Sequence, residues 1–131
     1  MNARFCAVLA ALLATTTFAA TSDDYLTCGL IYGGLFKAVK DSRNDSMIPY
    51  TTPRLQAVIS FLQDNRNDPE MSERMKVIAA QNRGEVDAMV KQSTAAMIDS
   101  DAAKLKKSLA PVFKCDVVFE IPSFPLPLTS E

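Results

Sequence analysis

Apolar residues recur three and four positions apart along most of this chain, which is the spacing that places side chains on one face of an α-helix. The first such segment runs from about Ser22 to Asp41, with Ser22 as its predicted N-cap. Its apolar face consists of Tyr25, Cys28, Ile31, Tyr32, Leu35, Phe36 and Val39. A second helix is predicted to open at Thr52-Pro53 and to close at Asp64–Asn67. Its predicted inward stripe consists of Leu55, Val58, Ile59 and Leu62.

Two further helices follow. The third is predicted from Pro69 to Ile98, with a bend or break at Asn82–Gly84, where the apolar face is interrupted. Its inward residues are predicted to be Met71, Met75, Ile78, Val86, Met89, Val90 and Met97. The fourth opens after Ser100-Asp101, and Pro111 should end or kink it. Its face comprises Leu105, Leu109 and Val112, and residues 116–120 are predicted to be extended.

Four helices joined by short loops predict an all-α, up-and-down four-helix bundle over residues 20–118. Residues 119–131 form a proline-rich tail, which cannot be a regular helix. The tail is unusually apolar, and its apolar residues are Phe119, Ile121, Phe124, Leu126 and Leu128. Three outcomes for it stay open: it covers the core, it is presented to a partner, or it is disordered.

The first nineteen residues have the layout of a secretory signal peptide. Arg4 precedes an apolar run from Phe5 to Leu13, and small residues follow near Ala19. Cleavage after Ala19 would place Thr17 and Ala19 at the two positions that require small side chains. The run is too short to span a bilayer, so no membrane span is predicted after cleavage. We therefore expect a periplasmic or secreted protein.

The cysteine count supports the same compartment. Cleavage would remove Cys6 and leave Cys28 and Cys115, an even number that favours a disulfide in an oxidising compartment. The bridge would close a loop of about 90 residues, for which chain entropy gives at most about 4–5 kcal/mol of stabilisation. It would join the first helix to the end of the fourth.

Charge and histidine content limit the function classes. The chain has 14 basic and 15 acidic residues and no histidine. Near-balanced charge argues against a nucleic-acid partner. Without histidine, the usual general base and the commonest metal ligand are missing. Carboxylates could still act in their place, but each acidic pair lies at a helix start, a loop or an exposed position. These pairs are Asp23/Asp24, Asp64/Asp68, Glu85/Asp87 and Asp99/Asp101.

Methionines and glycines supply the other candidate features. Methionines at helical spacing on the third helix are read as core packing, as an adaptable binding surface, or as thioether ligands for a soft ion at Met71 and Met75. Gly29, Gly33 and Gly34 indicate a close helix approach or space for a ligand. We predict no catalytic residue, no metal and no cofactor. The predicted binding surface is Tyr25, Tyr32, Met71, Met75, Met89, Phe119 and Phe124.

A cysteine in the first helix (Tyr25–Cys28) and another near the end (Lys114–Cys115) loosely resemble the plan of periplasmic immunity proteins of type VI amidase systems. The resemblance covers only these stretches and implies no site residue. The leading hypothesis is an exported helical protein that binds, and neutralises or assists, a protein in the cell envelope, without catalysis. The alternative is a carrier of a small apolar ligand, in a cavity between helices one and three lined by Tyr25, Tyr32, Met75 and Met89. A carboxylate-based enzyme ranks third.

Overall fold

The computed structural model describes residues 19–128, and within this range the chain is all-α, with no strand. The helices are α1 (Ser22–Ser42), α2 (Ile48–Asp64), α3 (Met71–Ile98), α4 (Ala102–Ser108) and α5 (Ala110–Val118), and a 3₁₀ turn (Asp45–Met47) precedes α2. The predicted signal peptide, apart from Ala19, and the last three residues of the tail lie outside the described residues.

Helix α1 begins with a reciprocal capping box. The Thr21 hydroxyl accepts from the Asp24 amide, and the Asp24 carboxylate accepts from the Thr21 amide. The N-cap is therefore Thr21 and not the predicted Ser22, because only a residue three positions before Asp24 can complete this exchange. The helix ends at Arg43, whose backbone is left-handed (φ 54°) and whose amide donates to Lys40.

Helix α1 is the centre of the fold, since α2, α3 and α5 all pack against it. Its side chains Tyr32, Leu35 and Ala38 are completely buried. Gly34 lets α3 approach closely: a Cβ there would lie 2.9 Å from the Met89 Cε atom and 3.1 Å from a Val86 methyl group. Close helix packing, one of the two readings of the glycines, is therefore confirmed at Gly34.

Helix α2 begins earlier than predicted. It starts at Ile48 with Pro49 in its first turn, and the predicted opening at Thr52-Pro53 lies inside it. The hydroxyls of Thr51 and Thr52 donate back to the carbonyls of Met47 and Ile48, so they bond within the helix and do not cap it. Pro53 lies in the second turn of α2, where its missing amide cannot donate to the carbonyl of Pro49 four residues before it.

The buried face of α2 also differs from the prediction. The buried residues are Tyr50, Thr51 and Arg54, whereas Ile59 and Leu62 of the predicted inward stripe are 53% and 38% exposed. At about 100° per residue, Ile59 lies about 140° around the helix from Arg54. Of the same stripe, Val58 packs against the core and Leu55 is half-buried, so the helix turns Arg54 inward and leaves Ile59 and Leu62 at the surface.

Helix α3 is continuous through Gly84, so the predicted break does not occur. Gly84 is exposed and has open space around it, and one glycine weakens a long helix without ending it. Of the predicted inward residues, Ile78, Met89 and Met97 are buried, and the others are half-buried. The helix starts at Met71, two residues after the predicted Pro69.

The predicted fourth helix is divided into α4 and α5 at Leu109, close to Pro111, as expected from the missing proline amide. Asp101 caps α4 by accepting from the Lys104 amide. The extended structure predicted for residues 116–120 is wrong, because α5 continues through Val118. Its last turn carries both Cys115, which is bonded to α1, and Asp116, which is bonded to α2.

The predicted disulfide is present between Cys28 and Cys115, whose Cα atoms are 5.3 Å apart. It joins the second turn of α1 to α5. Beyond α5, Ile121, Leu126 and Leu128 of the tail pack against the core. None of the helices between residues 19 and 128 is long and apolar enough to cross a bilayer.

We predict that replacing both cysteines by alanine lowers the free energy of unfolding by about 2–5 kcal/mol, because the bridge restricts the unfolded chain over 87 positions. Denaturant unfolding with and without reductant measures this effect. Reductant should destabilise the native chain and leave the double variant unchanged. Equal stability of the native chain and the double variant without reductant would contradict the prediction.

Candidate functional site

A buried polar cluster lies where α1, α2 and α5 meet. Asp116 accepts three hydrogen bonds: its Oδ1 from the Tyr32 hydroxyl (2.7 Å) and Arg54 Nε (2.9 Å), and its Oδ2 from an Arg54 terminal nitrogen (2.7 Å). The second terminal nitrogen of Arg54 donates to the Tyr50 carbonyl. We call Tyr32, Tyr50, Arg54 and Asp116 the polar cluster.

Every charge in this cluster is compensated. The Arg54 side chain is completely buried and that of Asp116 is 6% exposed, so the pair is bidentate and almost fully removed from water. The guanidinium also lies over the Tyr50 ring, with Cζ 3.7 Å from the ring centroid. Such a cation–π contact is strongest where the cation is desolvated.

The two phenols of the cluster stay protonated. Burial, reinforced by the hydrogen bond to Asp116, raises the pKa of Tyr32 well above its ordinary value of 10.0. Burial also raises the pKa of Tyr50, although the nearby positive charge of Arg54 opposes the change. The cluster therefore holds one ion pair and two neutral phenols, and its hydrogen bonds link α1, α2 and α5.

Removing one member of the ion pair leaves the other buried without its counter-charge. We expect Arg54→Met to lower the free energy of unfolding by about 3–5 kcal/mol. The double variant Arg54→Met/Asp116→Leu should be much less destabilised than the sum of the two single variants. Chemical denaturation of all four proteins measures this coupling.

The exposed pair of Lys37 and Asp41 is the matched control, with side chains 64% and 44% exposed. Because water screens this pair, Lys37→Met should change stability by less than about 0.5 kcal/mol. Additive effects of the Arg54 and Asp116 substitutions would show that the buried pair does not act as a unit.

The raised pKa of Tyr32 predicts a loss of stability at alkaline pH. Above about pH 10 the unfolded chain releases the Tyr32 proton while the folded chain keeps it, so stability falls by up to about 1.4 kcal/mol per pH unit. Below pH 10 this contribution is fully present. Denaturant unfolding between pH 8 and 11 should show a flatter alkaline slope for Tyr32→Phe, and parallel slopes would refute the assignment.

Four apolar residues of α2 form a partly exposed stripe. Ile48, Leu55, Ile59 and Leu62 follow one another at spacings of seven, four and three, on a helix face about 80–140° around the axis from Arg54. Ile48 is 49% and Ile59 53% exposed. Together with Phe36 of α1, which is 47% exposed, these residues form the surface that we call the apolar stripe.

The surface is concave at the N-terminal end of the apolar stripe, around Ile48. Phe36, Ile48 and Leu55 line a depression of about 440 Å³ between α1 and α2. Lys40, Arg43 and Asp45 also line it, so charged side chains border an apolar floor. This is the form of a pocket for an apolar anchor residue.

Only some residues of the predicted binding surface are exposed to solvent. Tyr32 and Met89 are buried, so neither can meet a partner in this conformation. Tyr25 and Phe119 are half-buried in an aromatic group, in which the Tyr25 ring lies 5.0 Å from that of Phe61 and 5.1 Å from that of Phe119. Phe124 is 52% exposed.

Met71 and Met75 are half-buried on α3. No cluster of three or more histidine, cysteine or acidic residues that could hold a metal ion occurs in the described range. The groove between α1 and α3 is lined by Gly29, Gly33 and Gly34 and by residues of α3, and not by the predicted Tyr25, Tyr32, Met75 and Met89.

Several of the acidic residues make structural contacts. Asp23 pairs with Arg74, which Asp68 also approaches at 3.9 Å. Asp24 and Asp101 accept from backbone amides at helix starts. These bonds account for the acids at the beginnings of α1 and α4.

Sequence reasoning missed Arg54 and Asp116. A signal for Asp116 was present: it follows Cys115, and Tyr32 lies one turn after Cys28, so the disulfide brings these two residues together. Arg54 carried no comparable signal, because arginine is mostly exposed in folded proteins and nothing near it in the sequence marks it as buried.

Comparison of the chain with known protein families, with curated proteins and with solved structures yields no match.

Proposed function

We propose that this chain is an exported helical binding protein that contacts a protein of the cell envelope through the apolar stripe and has no catalysis of its own. The observation that carries the proposal is the stripe itself. On this helix face Ile48, Ile59 and Leu62 are exposed and Leu55 is half-buried, and exposed apolar patches mark interaction sites.

The depression at the end of the stripe indicates the chemistry of the partner. Its floor would accept one apolar or aromatic side chain, and Lys40 and Arg43 at its edge would favour an acidic neighbour on that partner. An enzyme neutralised by occupation of its surface is one such partner, in line with the resemblance to periplasmic immunity proteins.

Export is part of the proposal. The signal-like segment and the disulfide both support it. Cleavage after Ala19 would leave the capping box of Thr21 and Asp24 whole, so α1 would keep its first turn. The up-and-down four-helix arrangement also belongs here, with α4 and α5 together in the fourth position; the contacts of α1 with α2, α3 and α5 support it.

The test compares two exposed apolar residues on different helices. Ile59 of the stripe is 53% exposed and Val77 of α3 is 55% exposed, so neither substitution should disturb the core. We expect Ile59→Lys to reduce partner capture from the host's envelope fraction by about tenfold or more, because it places a charge in a desolvated contact. Val77→Lys should capture as the native chain does.

Both variants should unfold within a few degrees of the native protein, since surface substitutions usually change stability by less than about 0.5 kcal/mol. Unchanged capture by Ile59→Lys would reject the stripe as the binding surface. Turnover of a cell-wall, lipid or peptide substrate by the purified chain, lost on substitution of a single carboxylate, would reject the proposal as a whole.

A further inference from the structure

A cavity of about 560 Å³ lies between the start of α2, the helices α4 and α5, and the tail. Its apolar walls are Ala102, Phe113, Phe124, Pro125 and Leu126. The tail closes it on one side, with Leu126 packed against the core. The volume falls within the range of small-molecule sites, and walls of aromatic and aliphatic side chains are typical of them.

Tyr50 lines this cavity and supplies an unusual group. The residue is 4% exposed, and its hydroxyl has no hydrogen-bond partner among residues 19–128. Nearly all buried polar groups in folded proteins are paired. The Tyr50 ring cannot easily turn to find a partner, because the Arg54 guanidinium lies against its face. Burial raises the pKa of this phenol, so the hydroxyl keeps a proton that no described residue accepts.

The other polar groups of the cavity wall are mainly donors. Lys106 also lines it and makes no ion pair with the described residues, and Ser123 adds a hydroxyl. Asp116 is the single acid on the wall. Its carboxylate already accepts three hydrogen bonds and is neutralised by Arg54, so it does not oppose an anion.

We propose that this cavity binds a small amphipathic carboxylic acid, whose carboxylate accepts from the Tyr50 hydroxyl and faces Lys106. The apolar body of the ligand packs against Phe113 and Phe124. This site lies apart from the apolar stripe, so it does not depend on the proposed protein partner. It also places the ligand on the α5 side of the molecule, and not between α1 and α3.

Three probes with one apolar chain and different heads test the chemistry: decanoate, decanol and decylammonium. Isothermal titration of the purified, oxidised chain should rank them with decanoate tightest and decylammonium weakest. Equal affinities would show that only the apolar chain is recognised and would overturn the proposal. Absence of decanoate binding up to about 1 mM would overturn it as well.

Tyr50→Phe removes only the hydroxyl and keeps the ring under Arg54. Loss of one hydrogen bond should weaken decanoate binding by about 3- to 10-fold. The Tm of the ligand-free variant should stay the same or rise, because no protein hydrogen bond is lost. A Tm lowered by several degrees, or unchanged decanoate affinity, would mean that the hydroxyl is already satisfied, for example by buried water, and would overturn the proposal.

Neighbouring lysines provide the matched pair for the charge. Lys106→Gln should weaken decanoate binding by about threefold at low salt and have little effect in about 1 M salt, where an exposed charge is screened. Lys107 does not line the cavity, so Lys107→Gln should leave the affinity unchanged. Equal effects of the two substitutions would reduce the role of Lys106 to long-range attraction and contradict the proposed contact.

Discussion

The buried ion pair between Arg54 and Asp116 is the constraint on which the rest of the structure depends. A guanidinium and a carboxylate that leave water lose hydration worth several kcal/mol each, so they are tolerable in a core only when they meet in good geometry. Here the bonds are bidentate, and Tyr32 supplies a third donor. The arrangement therefore holds α1, α2 and α5 to one relative position.

The orientation of α2 follows from this pair. With Arg54 directed at Asp116, the neighbours on the same face are Tyr50, Val58 and Phe61, and the residues that remain outside are Ile48, Ile59 and Leu62. A helix of this composition could have buried its strongest apolar stripe instead. The free energy given up by leaving that stripe in water is consistent with a surface that meets another protein. The core contact and the proposed function are in this way connected.

The same pair shapes the cavity beside the tail. Arg54 lies over the Tyr50 ring and bonds the Tyr50 carbonyl, so this tyrosine is held in place while its hydroxyl remains without a partner in the described part of the chain. The disulfide between Cys28 and Cys115 acts beside the pair, because Cys115 and Asp116 are adjacent and Cys28 and Tyr32 are one turn apart. A covalent bond and an ion pair thus hold the same turn of α5.

The sequence by itself determined the helical class, the approximate helix positions and the cysteine pairing, because helical spacing, caps and cysteine number are local or countable properties. The interruption near Pro111 was readable for the same reason, and the close approach at Gly34 was one of the two readings that the glycines allowed. Only the tertiary structure decided which face of α2 is buried, where α5 ends and which polar groups meet. Periodicity reports that a helix has an apolar face, but here a different face of α2 is buried, the one that carries an ion pair to a residue 62 positions away. No local pattern contains this information, because the desolvation cost of each charge is offset only when the two partners meet in the core.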